Sequence, residues 1–227
     1  MSRRRGADGQ RPAPPVIRRP QVPIEALDEA TLGPDAVISR ARINGLIGEL
    51  DAAGSDIEHS ALSDLRLDVL EFSGARLVDV LVQEAQITAL NASGATLRRS
   101  AIVGGRIGVL DLSDADLAGV EVRGARIDYL RLDGARVRDL LIVDCTVGTM
   151  DMPEVDIHRG AVVRSSLGEI DTRRLRAVDL DLRGSGTPAI TDITALRGAT
   201  LTEFHLRVML PAIAAHLGID IAEDPAP

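Results

Sequence analysis

Apolar side chains recur at every fifth position through the middle of this chain. From Ile57 to Leu167, all 23 positions reached in steps of five are apolar, although apolar residues make up 45% of the sequence. A half-buried strand returns to one face at every second residue and a helix at every third or fourth, so neither explains this step. The period predicts a repeat in which each five-residue segment contributes one side chain to a common interior.

A second column, two residues before the first, extends the repeat unit to twenty residues. Most of its members are small, but every fourth is large: Leu50, Leu70, Leu90, Leu110, Leu130, Met150 and Ile170. Four five-residue sides therefore form one coil, and seven regular coils cover residues 47–186. We predict an all-β, quadrilateral β-helix whose coils stack through backbone hydrogen bonds.

Several segments match a known repeat motif, A(D/N)Lxx. They are Ala115-Asp116-Leu117-Ala118-Gly119, Ala95-Thr96-Leu97, Ala75-Arg76-Leu77 and Ala199-Thr200-Leu201. On these residues the chain resembles the pentapeptide-repeat family over about residues 47–206. The resemblance implies a right-handed quadrilateral β-helix, the pentapeptide-repeat solenoid, to which we add a short C-terminal helical cap.

Composition and register divide the chain into three parts. The N-terminal part is rich in Arg and Pro and has little to bury, which is typical of disorder. In the next segment Leu27, Leu32 and Val37 keep the five-residue step and Arg42 breaks it, so we expect an irregular first turn. The predicted parts are a disordered basic tail at 1–23, a β-helix at 24–206 with regular coils at 47–186, a loop at 184–190 and a final partial turn at 191–206, and a helical cap and tail at 207–227.

A short segment with helical periodicity follows the repeats. Leu206, Leu210, Ile213 and Leu217 fall on one helical face, and Gly218 is a typical stop signal. The open end of a solenoid exposes unpaired backbone, so it needs a cap. Two interpretations stay open. The helix covers the end, or it also pairs two subunits into a homodimer, as the resemblance implies for family members that dimerise through a C-terminal segment.

One outward face of the predicted coil is apolar. Its members are Leu81, Val103, Leu141, Val143 and Val163, which we call the apolar strip. An exposed apolar strip usually marks a contact surface. The sequence therefore predicts a site for a protein partner of unknown identity or for self contact, unless a loop, the tail or the terminal helix lies over it.

A second outward column is acidic. It contains Asp51, Glu71, Asp111, Asp151 and Asp171, which we call the acidic stripe, and Arg131 interrupts it. One branch of the pentapeptide-repeat family binds DNA gyrase, imitates its DNA duplex and protects it from quinolones. The resemblance therefore implies DNA gyrase as an alternative partner, while a solvated face that keeps the protein soluble is the simpler interpretation.

Charge and cysteine content limit the other classes of partner. The net charge is −8, and the first twenty residues are basic, so the remaining body is strongly acidic. An acidic body does not favour direct binding of a nucleic-acid phosphate backbone. One cysteine, Cys145, is typical of a reducing compartment. We also expect neither a secretory leader nor a membrane span, and hence a cytoplasmic protein.

The sequence predicts no enzymatic site. The four histidines are dispersed, and the common nucleophile, metalloprotease, phosphate-loop and CxxC motifs are missing from it. Cys145 occupies an inward position of the repeat, where a thiol is expected to be inert. We therefore expect a non-enzymatic interaction or scaffold module that needs no cofactor or metal.

Overall fold

The computed structural model describes residues 11–23 and 31–222 of the chain. These residues form a mostly β, parallel-strand solenoid of about eight turns with a helix at the C-terminal end. The predicted fold class is therefore confirmed. Leu27, which the sequence places in the first turn, lies outside the described residues. Within those residues, no helix has the length and apolar character needed to cross a bilayer.

The strands follow one another around the coil in chain order. They are β1 Val37–Ser39, β2 Arg42–Asn44, β3 Ile47–Asp51, β4 Asp56–Glu58, β5 Ala61–Ser63, β6 Arg66–Glu71, β7 Arg76–Val78, β8 Leu81–Gln83, β9 Gln86–Asn91, β10 Thr96–Arg98, β11 Ala101–Val103, β12 Arg106–Asp111, β13 Asp116–Arg123, β14 Arg126–Arg131, β15 Arg136–Val143, β16 Thr146–Asp151, β17 Asp156–Val163, β18 Ser166–Asp171, β19 Arg176–Asp181, β20 Ala189–Ile190 and β21 Ala199–Thr200. They form two parallel sheets, one of thirteen strands and one of eight.

The twenty-residue repeat sets the strand register and the core. Leu117 pairs with Leu97 on one side and with Val137 on the other, each twenty residues away. All 23 positions of the five-residue column are buried, none being more than 8% exposed. The interior is therefore a stack of aliphatic side chains, and the outward positions are left to form surfaces.

The first coil is one residue shorter than the others, which corrects the predicted phase. Ile38 pairs with Ile57 at a separation of nineteen residues, and a bulge between Gly48 and Glu49 restores the twenty-residue spacing. Ile38 and Ile43 consequently enter the core, while Val37, expected to point inward, is 84% exposed. The missing residue explains why the five-residue step breaks here in the sequence.

The C-terminal end is more ordered than the sequence predicts. Within the predicted loop at 184–190, β20 pairs with β18 and continues the eight-stranded sheet. A 3-10 helix at Ile193–Leu196 follows, and then the helix α1 at Glu203–His216. Thr202 caps α1, because its side chain accepts from the backbone N–H of His205 while His205 accepts from the N–H of Thr202.

Candidate functional site

The structure brings the apolar strip together on one side of the solenoid but does not leave it open. Leu81, Ala101, Glu121 and Leu141 pair in register along this side. Val143 is 3% exposed, and the other four members of the strip are half-buried. The prediction of an exposed apolar surface is therefore corrected.

An N-terminal segment is attached to the corner of the coil that borders this side. Residues 11–23, which we call the strap, form no helix or strand and carry two backbone anchors. The N–H of Val16 donates to Asp139 Oδ1 at 2.9 Å, and the N–H of Gln21 donates to Asp79 Oδ1 at 3.3 Å. His59 Nδ1 lies 3.0 Å from the Gln21 carbonyl oxygen. The expectation of disorder is thus replaced by an attached segment over residues 11–23; residues 1–10 lie outside the described part.

The anchors belong to one corner of the coil, where residues twenty apart stack along the solenoid. This corner column consists of His59, Asp79, Arg99, Gly119, Asp139, Arg159 and Asp179, all with positive φ. Arg99 holds Asp79 in a two-bond ion pair at 3.0 and 2.6 Å, and Arg159 holds Asp139 at 2.5 and 2.7 Å. Paired carboxylates of this kind remain ionised and are strong acceptors for backbone N–H groups.

The pKa values of both anchor carboxyls are lowered. For Asp139, the hydrogen bonds from Arg159 lower the pKa most, and the N–H of Val16 lowers it further against the effect of burial. For Asp79, burial alone would raise the pKa, but the hydrogen bonds from Arg99 and from the Gln21 backbone outweigh it. Both carboxylates are therefore ionised at neutral pH, each paired with its arginine, and accept the N–H groups of the strap in this form.

The acidic stripe also forms one continuous column. Its members pair in register through Asn91 and Arg131. Asp51, Glu71, Asp111 and Asp171 each accept the backbone N–H of the residue two positions later, which closes the adjoining turn. These carboxylates are therefore used in building the corners of the coil.

Two of the stripe's carboxylates are further neutralised and one raises the pKa of a phenol. Arg131 donates to Asp111 at 2.9 Å, and Arg173 pairs with Asp171. Tyr129 donates its hydroxyl proton to Asp151, and this hydrogen bond, with burial, raises the pKa of Tyr129 to about 12. The stripe is thus a hydrogen-bonded structural element as well as a charged surface.

Asp171 should make the stability of the protein depend on pH in the acidic range. The hydrogen bonds from Arg173 lower the pKa of Asp171 from 3.8 to about 2. Since the folded-state pKa is depressed, the contribution is present above pH 3.8 and is lost as the pH falls through 2. We expect Asp171→Asn to cost about 1–2 kcal/mol at pH 5, because Arg173 is largely exposed to solvent, and almost nothing at pH 2.

Urea denaturation of wild type and variant at the two pH values measures this difference. Asp51→Asn, at an exposed position of the same column, is the control and should show a smaller difference. A cost for Asp171→Asn that is the same at both pH values would contradict this account of the pair.

The helix α1 packs on the solenoid with a different face from the predicted one. His205 and Met209 are its buried residues, and Ser185 Oγ lies 3.4 Å from His205 Nε2. Leu206, Leu210 and Leu217 are each half exposed or more, and Ile213 is half-buried. The predicted face is therefore not the one that covers the end. It points into solvent.

The exposed side of the C-terminal segment is unusually apolar. Besides those leucines, Phe204, Val208, Ile219 and Ile221 are also more than half exposed. A concentration of large apolar side chains on a surface usually marks a contact with another molecule. At about 3.6 residues per turn, Leu206, Leu210 and Leu217 fall on one flank of α1, and we call these three residues the helix patch. Phe204 and Val208 fall on the other flank, beyond the ion pair of Glu203 with Arg207.

Metal ligation and thiol chemistry find little support in the part of the chain that the structure describes. Among the described residues, no group of three or more His, Cys, Asp or Glu side chains could hold a metal ion. Cys145 is buried, and burial raises the pKa of its thiol, which opposes formation of a nucleophilic thiolate.

No protein-family model and no curated protein sequence matches the chain. Solved structures similar to it include two trypsin-treated variants of QnrB1, a plasmid-mediated fluoroquinolone resistance protein. Both are 19% identical to this chain in sequence. The alignment with the first covers 80% of this chain and 99% of that structure, with a TM-score of 0.36. The alignment with the second covers 82% of this chain and 100% of that structure, with a TM-score of 0.33. Another is HetL, a pentapeptide repeat protein involved in heterocyst differentiation regulation from the cyanobacterium Nostoc, at 14% identity, 73% and 86% coverage and a TM-score of 0.23.

Proposed function

We propose that this chain, a β-solenoid of the pentapeptide-repeat type, is a non-catalytic protein-interaction module that forms a homodimer through its C-terminal helix. The helix patch is the observation that carries this proposal. Leu206, Leu210 and Leu217 together expose an apolar area whose burial against another molecule would be favourable. We place the module in the cytoplasm, in keeping with its buried free thiol.

A second copy of the chain is the partner that suits the helix patch best. α1 already uses His205 and Met209 to close the end of the solenoid, so its outer side is free to meet another molecule. An apolar helix face can pair with an identical face around a two-fold axis, which needs one surface only. Pairing there would join two rods at their C-terminal ends and leave their long sides available for other partners.

Imitation of a DNA duplex for DNA gyrase is the weaker alternative. The in-register column that contains the acidic stripe favours such imitation. With five carboxylates and Arg131, however, this column carries a net charge of −4 over seven coils. That column is about 29 Å long at a coil spacing of about 4.8 Å. A DNA duplex of that length carries about 17 charges, so this column is far less dense.

Light scattering after gel filtration tests the homodimer. Wild type is expected at twice the chain mass of 24.1 kDa, and the double variant Leu206→Asp, Leu210→Asp at the chain mass. Loss of two buried leucines and burial of two charges should weaken association at least about a hundredfold. Because both leucines are exposed on α1, the solenoid itself should remain folded.

Val37→Asp is the matched control, since Val37 is also an exposed apolar residue but lies in the first coil, at the other end of the rod. It should leave the dimer intact. A wild-type monomer at tens of micromolar chain, or a dimer that survives both aspartates, would overturn the proposal.

A further inference from the structure

We propose that the apolar strip and the corner column together form a binding groove for extended, proline-rich peptides, and that the strap is its intramolecular occupant. The strap reads RPAPPVIRRPQVP, with five prolines at 12, 14, 15, 20 and 23. Such a sequence favours the extended polyproline II conformation, which has no internal hydrogen bonds. Its backbone N–H groups are therefore available to acceptors outside the segment, and the groove supplies two.

The spacing of the acceptors fits a polyproline II peptide. Asp79 and Asp139 are three coils apart, which is about 14 Å along the solenoid at about 4.8 Å per coil. Val16 and Gln21 are five residues apart, which is about 15.5 Å at about 3.1 Å per residue. The length of a peptide in this conformation therefore matches the distance between the two carboxylates.

The strap passes directly beside the corner column between the two acceptors. Gly119 stands in this column where the other positions carry His, Asp or Arg. A Cβ built there would lie 3.7 Å from the Val16 carbonyl oxygen, which is van der Waals contact. The backbone of the strap therefore lies against the coil at this point, next to the anchor at Asp139.

Burial along the neighbouring side supports a covered groove. The outward residues Ala101 and Glu121 are buried and Leu81 and Leu141 are half-buried. At the same position on the next side of the coil, Arg66, Gln86 and Arg106 are exposed. The side beside the anchors is therefore the shielded one, as expected if the strap excludes water from it.

The recognition uses backbone groups, so it should extend to peptides added in solution. Both acceptors bind main-chain N–H groups, which every residue of a peptide except proline carries. The strap competes at the high effective concentration of an attached segment. A free peptide of the same chemistry should bind only when the strap is released.

Two proline substitutions release the strap without changing the groove. Val16→Pro and Gln21→Pro each remove one anchoring N–H, and both follow a proline, so the extended conformation is kept. Ala13→Pro is the matched control, because position 13 also follows a proline but precedes the first anchor, so this change removes no anchoring N–H. All three changes are made in the full chain and leave the solenoid sequence untouched.

Trypsin measures release of the strap. It cuts after arginine except before proline, so Arg11–Pro12 and Arg19–Pro20 resist and Arg18–Arg19 is the cleavable bond between the anchors. Loss of two hydrogen bonds to charged acceptors should speed this cleavage at least about tenfold in the double variant. Ala13→Pro should be cleaved at the wild-type rate.

Fluorescence anisotropy measures occupation of the groove by a free peptide. The probe is a labelled synthetic peptide of residues 11–23, and a second peptide carries proline at positions 16 and 21. We expect the peptide with the native sequence to bind the double variant at least about tenfold more tightly than it binds the wild-type protein. The peptide with the two added prolines should bind the double variant more weakly than the native-sequence peptide does. Equal cleavage rates, or a double variant that binds the two peptides equally, would overturn the proposal.

Discussion

Leu117→Ala is expected to lower the free energy of unfolding by about 2–5 kcal/mol. The side chain of Leu117 is 0% exposed and stacks between Leu97 and Val137 of the adjacent coils. Truncation removes three carbon atoms from a narrow interior that contains almost no aromatic residues to move into the space. The cavity therefore persists, and its cost adds to the lost burial. Urea denaturation followed by circular dichroism measures the change.

The neighbouring residue provides the control for Leu117. Asp116 precedes it in β13, points outward and pairs with Arg98 in an exposed ion pair. Such pairs contribute at most about 1 kcal/mol, so Asp116→Ala should have a small effect. Equal losses for the two alanine variants would mean that the five-residue column does not line the interior.

Gly105→Ala should lower the free energy of unfolding by about as much as Leu117→Ala does, although it only adds one methyl group. A Cβ at this position would lie 2.1 Å from the carbonyl oxygen and 2.6 Å from the nitrogen of Ala85 on the preceding coil. Since these are backbone atoms, the two coils would have to separate. The φ of +82° adds strain for any residue with a Cβ. Together we expect a loss of about 2–5 kcal/mol in the same denaturation experiment.

Gly124→Ala separates the two causes. Gly124 has a similar φ of +64°, but its nearest neighbour would be 4.0 Å from the new Cβ. Only the conformational strain applies there, so the expected loss is about 1 kcal/mol. If both glycine variants lose the same stability, contact between coils is not what requires glycine at position 105.

The interior could be predicted from the sequence because it depends on local spacing. A side chain at every fifth residue has to be apolar, and each of those 23 positions is buried. The structure of the first coil could not be predicted in the same way, because this coil is one residue shorter and the bulge at Gly48 restores the register. The period of the regular coils does not indicate which coil contains fewer residues.

The surfaces were harder to predict, because they depend on contacts between distant parts of the chain. The strap has the composition of a disordered tail, yet Asp79 and Asp139 bind its backbone, which composition does not reveal. On α1 the leucine spacing pointed to Leu206 and Leu210, but His205 and Met209 are the buried residues. A histidine is not counted in an apolar pattern, and here its hydrogen bonds with Thr202 allow it to face the solenoid.

Small-angle X-ray scattering of the wild-type protein tests the central claim, that two solenoids join through their C-terminal helices. About eight coils at about 4.8 Å make one rod about 38 Å long before the helix is added. Two rods joined at their ends should give a particle with a maximum dimension of about 80 Å or more. A particle of about 50 Å, unchanged by Leu206→Asp and Leu210→Asp, would contradict the account.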